Sequence, residues 1–134
     1  MKSQTAIEVL EEHPDGLGHL NHTQAVEYLE RARDDWYQQA ELWDGRPWSD
    51  DEALGTVVVN VNINYRLECF LGEHLTVETF PVSKGNKSFT LGHKLIKPDG
   101  QTAIDGEVTS VIMDMETRSV ITVPDCLARF LPDR

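Results

Sequence analysis

Positive charge is scarce in this sequence. Lysine and arginine number 12 against 23 aspartates and glutamates, a formal net charge of −11. Nucleic acid needs a basic face, so that partner is excluded, and an anionic membrane surface is disfavoured. Cysteine is equally sparse. Cys69 and Cys126 lie far apart, and neither has a second cysteine or a histidine at metal-ligand spacing. Both are read as reduced and structural. No apolar run approaches the roughly 18 residues that a membrane span needs. The opening MKSQTAIEVLEEH breaks its apolar positions with acids, unlike a signal peptide, so the expected location is cytoplasmic. There is no G-x-x-x-x-G-K phosphate cradle and no motif around a serine or cysteine nucleophile.

What remains is an ordinary globular composition. Hydrophobic residues make up 40% of the 134-residue chain, enough for one domain over residues 1–134 with a single core. The chemistry is concentrated in residues 15–23, DGLGHLNHT, directly before the one long helical pattern. A polar loop feeding a helix N-terminus suits an oxyanion or a polarised carbonyl. Asn21, with Gln24 three residues on, is a capping-box-like pair, and Thr23 is the competing cap.

The helix is predicted over about residues 22–43. Val26, Leu29, Ala32, Trp36, Ala40 and Trp43 recur at three and four on one face, which Ala25 and Tyr28 widen. Glu27, Glu30, Arg31, Asp34 and Asp35 fill the other side. At about 1.5 Å per residue such a helix is about 33 Å long, so something large must cover it.

Residues 5–10 (TAIEVL) read as a first strand, and residues 44–54 as a loop. Residues 56–67 alternate, with Val57, Val59, Val61, Ile63, Tyr65 and Leu67 on one side. Further strands are predicted at 74–82, 88–96 and 101–115. Turns at Leu71-Gly72-Glu73, Lys84-Gly85-Asn86 and Lys97-Pro98-Asp99-Gly100 separate them. Phe89, Leu91, His93 and Leu95 share one face, and a bulge is predicted near Thr109 and Ser110. Residues 124–131 read as a short helix or an ordered tail. One long helix followed by four strands implies an α+β fold, an antiparallel sheet curled around the helix.

Asp15 is either a turn aspartate or a carboxylate serving as general base or nucleophile. His22 is either a capping histidine or a donor to a substrate carbonyl. His13, Asp15, His19 and His22 also form H-x-D-x3-H-x2-H, whose nitrogen and oxygen donors suit zinc or iron. That spacing is not a strong metal signature, and no cofactor is expected. Arg66, Lys84 and Lys87 are candidates to meet a phosphorylated ligand, against the simpler reading of surface charge.

The segment D-G-L-G-H-L-N-H followed by A-V-E-Y-L-E-R-A-R-D-D-W resembles the hot-dog-fold acyl-CoA thioesterases of the 4-hydroxybenzoyl-CoA thioesterase type. N-I-N-Y-R-L-E-C-F-L-G-E-H-L-T-V-E-T and G-N-K-S-F-T-L extend the likeness over nearly the whole chain. The resemblance implies a hot-dog fold and hydrolysis of an acyl- or aryl-CoA thioester. It also implies a homodimer or homotetramer with active sites at the subunit interface. Asp15 matches the catalytic aspartate, three residues before the motif glycine Gly18. His22 matches a position held by histidine, asparagine or tyrosine, beside the backbone N–H that polarises the carbonyl. Asp15 and His22 are therefore the expected catalytic residues, with Gly18, Asn21 and Thr23 as substrate contacts. The chain departs from the pattern at His13, where a second acid is common, at Ala25, where tyrosine is common, and at Leu20, where valine is usual. Two other functions fit the same fold. One is a hydratase or dehydratase, although the Asp-x-Asn-Pro-x-His arrangement is missing. The other is a module that binds an acyl thioester without cleaving it.

Overall fold

A computed structural model describes residues 2–9, 22–39, 54–70 and 72–132. Its elements run β1 (Ser3–Glu8), α1 (His22–Gln39), β2 (Leu54–Tyr65), β3 (His74–Lys84), β4 (Ser88–Ile96), β5 (Thr102–Asp114), β6 (Ser119–Ile121) and α2 (Asp125–Ala128). All strand pairs are antiparallel, in the order β1-β3-β4-β5-β2, with β6 against β5. One helix on an antiparallel sheet is the layout expected from the sequence.

The face of α1 that meets the sheet is built from Ala25, Tyr28, Leu29, Ala32 and Trp36, all buried. Ala25 and Tyr28 widen that face as expected, but Val26, expected on it, is exposed. The N-terminal half of α1 packs with Ile7, Leu75, Val77, Leu95 and Ile104. The C-terminal half, through Trp36 and Tyr37, packs with Phe89, Leu91, Ile112 and Leu127. Trp36 meets Tyr37 and Phe130 edge to face, at ring-centroid distances of 5.8 and 6.0 Å. The expected extension of the helix to residues 40–43 lies outside the described residues.

The alternation predicted for β2 does not survive intact. Val58 pairs with Ser110 and Asn60 with Thr109, so Val59 is an extra residue in a bulge. The bulge switches the phase of the strand. Thr56 and Val58 before it, and Val61 after it, line one cavity beside α1. Val57 therefore faces away from Val61, contrary to the expected single apolar side. The bulge expected in β5 near Thr109 and Ser110 thus sits opposite those residues, in β2. The apparent slip arose because Ser110 is a buried polar residue in an otherwise regular run of Val108, Ser110 and Ile112. Within β5 the irregularity is at Ala103, between the pairs Leu95 with Ile104 and Ile96 with Thr102.

Two close fits fix the sheet. A Cβ on Gly106 would stand 2.4 Å from the Asn62 carbonyl oxygen, so β5 and β2 can approach only with glycine there. Pro81 lies inside β3 but beyond the last β1 pair, Ser3 with Thr79, so its missing N–H breaks no ladder bond with β1. The turn at residues 97–100 forms as expected, with Gly100 N–H donating to the Lys97 carbonyl at 2.9 Å and Gly100 at φ 90. Strand β6 was not expected. Its residues Ser119-Val120-Ile121 continue into Thr122 and Val123, a β-branched run that carries a strand signal.

Candidate active site

A cavity of 240 Å³ opens beside the N-terminus of α1, lined by Ala25, Tyr65, Arg66, Leu67, Cys69 and Ile104. The first N–H groups of α1 have no partners within the helix, so this end carries donors and the positive end of the helix dipole. Ala25 sits in that first turn, and its small side chain leaves space that a tyrosine would occupy. The opposite wall follows β2, where the Arg66 and Leu67 N–H groups both donate to the Ala103 carbonyl, at 2.8 and 3.2 Å.

Electrostatics at the cavity favour a stable wall over a reactive one. Arg66 holds Asp105 through Nε to Oδ2 at 2.6 Å and Nη2 to Oδ1 at 3.2 Å. That hydrogen bond keeps the Asp105 carboxyl below its usual range, and Asn64 adds to it. Burial pushes the Cys69 thiol up to about 11, so it stays protonated and is no nucleophile at neutral pH. Lys97, which the sequence placed only in a turn, braces the loop between β2 and β3. Its Nζ lies 3.3 Å from Glu73 Oε1, donates to the Glu68 carbonyl, and stands 5.2 Å from the Phe70 ring centre.

Most of the expected site residues are not among those the structure describes. Asp15, Gly18 and Asn21 lie outside the described residues, as do His13, His19 and Leu20. His22 and Thr23 open α1, but their side chains are outside what is described. Among the described residues no group of three histidine, cysteine or acidic side chains is placed to hold a metal. The three candidate cations are not brought together. Arg66 follows the last residue of β2, whereas Lys84 and Lys87 flank the β3–β4 turn, which adjoins the Val58 end of the sheet.

A second cavity, of 280 Å³, lies between α1 and β2, with Arg33, Tyr37, Thr56 and Ser110 inside and Val26, Glu30, Asp34, Val58 and Val61 towards its mouth. Arg33 Nη1 lies 3.2 Å from His93 Nε2, and His93 Nδ1 lies 3.0 Å from Thr79 Oγ1. A guanidinium can only donate, so Nε2 accepts, and the ring hydrogen sits on Nδ1 and points to Thr79. Burial, reinforced by Arg33, pushes the His93 pKa down to about 3, so the imidazole is neutral. Placing His93 among core leucines was legible from the strand pattern. Its pairing with an arginine sixty residues away was not.

The fold agrees with what the chain resembles among known proteins. A model of the thioesterase-like superfamily matches residues 12–131. The chain belongs to that superfamily. It is 32% identical over 121 residues to the long-chain acyl-CoA thioesterase FadM of Escherichia coli K12, covering 90% of this chain and 89% of that one. The structure of YbaW, a probable thioesterase from Escherichia coli, superposes with a TM-score of 0.81 at 30% identity, over 96% of this chain and 98% of that one. A DHNA-CoA thioesterase from Staphylococcus aureus shares the fold at 21% identity, with a TM-score of 0.80 over 90% of this chain and 80% of that one. The expected hot-dog fold is borne out, and so is membership among thioester hydrolases. No helix among the described residues is long and apolar enough to cross a membrane.

Proposed function

We propose that this protein hydrolyses an acyl-CoA thioester to a free acid and coenzyme A, with Asp15 as its catalytic carboxylate. The observation that carries the reading is the open cavity against Ala25 in the first turn of α1, in a chain of the thioesterase-like superfamily. The thioester carbonyl points its oxygen at the N–H groups near His22, which stabilise the negative charge formed on attack. As general base, Asp15 takes a proton from water while the hydroxyl oxygen bonds to the carbonyl carbon. The tetrahedral intermediate then expels the coenzyme A thiolate, which is protonated as the acid is released. As nucleophile, Asp15 attacks the carbonyl carbon and displaces the coenzyme A thiolate, forming a mixed anhydride that water cleaves to the free acid and the regenerated Asp15 carboxylate. Gly18, Asn21 and Thr23 contact the substrate, and His22 supports the carbonyl side.

The acting species is a homodimer or a homotetramer, with active sites at the subunit interface. The long β2 edge supports this, because Val58, Val59, Val61 and Tyr65 are 44, 56, 47 and 52% exposed on a strand that, among the described residues, pairs with β5 alone. A thiol-release assay over aryl-, short-chain and long-chain acyl-CoAs tests the function. At least one class is turned over with equal release of thiol and acid. Binding of acyl-CoA with no thiol release would contradict the reading, and loss of an enoyl double bond instead would mark a hydratase.

A further inference from the structure

The cavity at the N-terminus of α1 has an apolar floor and a polar rim. Ala25 on the helix, Cys69 after β2 and Ile104 on β5 are all buried and belong to one core cluster, so the floor reaches into the core. The Cys69 thiol stays protonated and meets the space as a small, soft surface. Tyr65, Arg66 and Glu68 line the same cavity but are exposed, so they form its rim.

Polar groups on the wall are committed elsewhere. The Arg66 and Leu67 N–H groups donate to the Ala103 carbonyl, and the Glu68 carbonyl accepts from Lys97 Nζ. The Arg66 guanidinium is held by Asp105. A ring hydroxyl carried onto this floor would lose its water without gaining a partner, which is costly. A hydrocarbon chain meets no such penalty, and each methylene buried is worth about fourfold in binding. At roughly 30 Å³ for a water-sized group, the 240 Å³ has room for about eight carbons in a row.

The helix side of that room is set by one side chain. Ala25 is the α1 residue that lines the cavity among those described, and it stands in the first turn beside the N–H groups that face the thioester oxygen. Carbons added to its side chain would fill the space that the acyl carbons nearest the carbonyl must cross. We propose that this cavity takes the acyl part of the substrate as an unbranched aliphatic chain, and that Ala25 sets how much of that chain it admits. This rests on the thioesterase reading given above and adds the substrate class and its determinant.

The chain-length profile of the full-length protein tests the proposal. From acetyl- to palmitoyl-CoA, kcat/KM for thiol release climbs by up to about fourfold per carbon and levels off near octanoyl, where the cavity is full. Hydroxybenzoyl-CoA falls at least about tenfold below octanoyl-CoA. Ala25→Leu lowers the octanoyl-to-butyryl ratio of kcat/KM by about tenfold or more, and Ala25→Val lowers it by less. A ratio of two substrates on one preparation cancels any loss of folded enzyme, and the smaller valine keeps the test open should the leucine variant not fold. Ala32→Val, equally buried on α1 but not lining the cavity, leaves the ratio unchanged. A ratio untouched by both Ala25 variants, or lowered equally by Ala32→Val, would overturn the proposal. So would a profile that climbs undiminished to palmitoyl, or a preference for the hydroxylated ring, and each of these leaves the thioesterase reading standing. Absence of thiol release from every acyl-CoA would sink that reading instead. The cavity is then read from the thermal stabilisation given by free fatty acids, which grows with length up to about octanoate. No stabilisation by any of them would overturn the proposal as well.

Discussion

The two edges of the sheet are built differently. Strand β1 has six residues, and its outer positions Gln4, Ala6 and Glu8 are exposed. Lys2 and Gln4 both reach Glu78 on β3, each at 3.3 Å. Strand β2 has twelve residues and exposes a row of valines and a tyrosine along an edge that no other described strand pairs. Short, polar edges resist pairing with other chains, whereas long apolar ones invite it. One edge of this sheet is therefore finished within the chain, and the other is shaped to be covered.

The largest effect expected from this difference follows charging of the β2 edge. Val59→Lys with Val61→Lys should convert the assembly to monomer in sedimentation experiments. It should lower thiol release at least about tenfold, if the active sites need both subunits. An assembled, fully active double variant would mean that β2 is not the contact.

Between the edges, the centre of the sheet carries acid sensitivity. His93 has a folded pKa of about 3 against an ordinary 6.5, so below about pH 6.5 the unfolded chain takes up a proton that the folded chain refuses. Stability then falls by about 1.4 kcal/mol for each pH unit lost in that window. Above it the full contribution is present. His93→Gln keeps an acceptor for Arg33 and should flatten this part of the profile, measured as urea unfolding free energy at pH 7, 5.5 and 4.5. An unchanged slope would mean that His93 is charged in the folded protein.

The smallest effect is expected at the finished edge. Ala6→Lys on β1 should change stability by no more than about 0.5 kcal/mol and leave the sedimentation profile as it was. A clear shift towards monomer would erase the contrast between the edges.

The architecture was readable because it depends on local period. Helical spacing marked α1, alternation marked β2 to β5, and glycine turns separated β3, β4 and β5. Errors arose where tertiary contacts override the pattern. Val26 looked like core but faces the open side, and Tyr37 fills the core in its place. Val59 looked like one more inward valine but is the bulge that changes phase. Ser110 looked like a slip, although its side chain hydrogen-bonds the buried Tyr37 hydroxyl. The candidate site was legible only as a motif. D-x-x-G before a helix names Asp15 and Gly18, but motif spacing carries no information about cavities. That Ala25 would wall a cavity with residues forty positions away, or that Lys97 would brace the facing loop, depends on sheet register that no short window contains.

The central claim is that Asp15 drives thioester hydrolysis at the N-terminus of α1. The most direct test is turnover of Asp15→Asn on the best acyl-CoA found in the screen, with folding checked by its thermal melt. A positioned carboxylate contributes about 10²–10⁴-fold, so kcat should fall by that range while the melt and the oligomeric state stay put. Turnover equal to wild type in the folded variant would contradict the account.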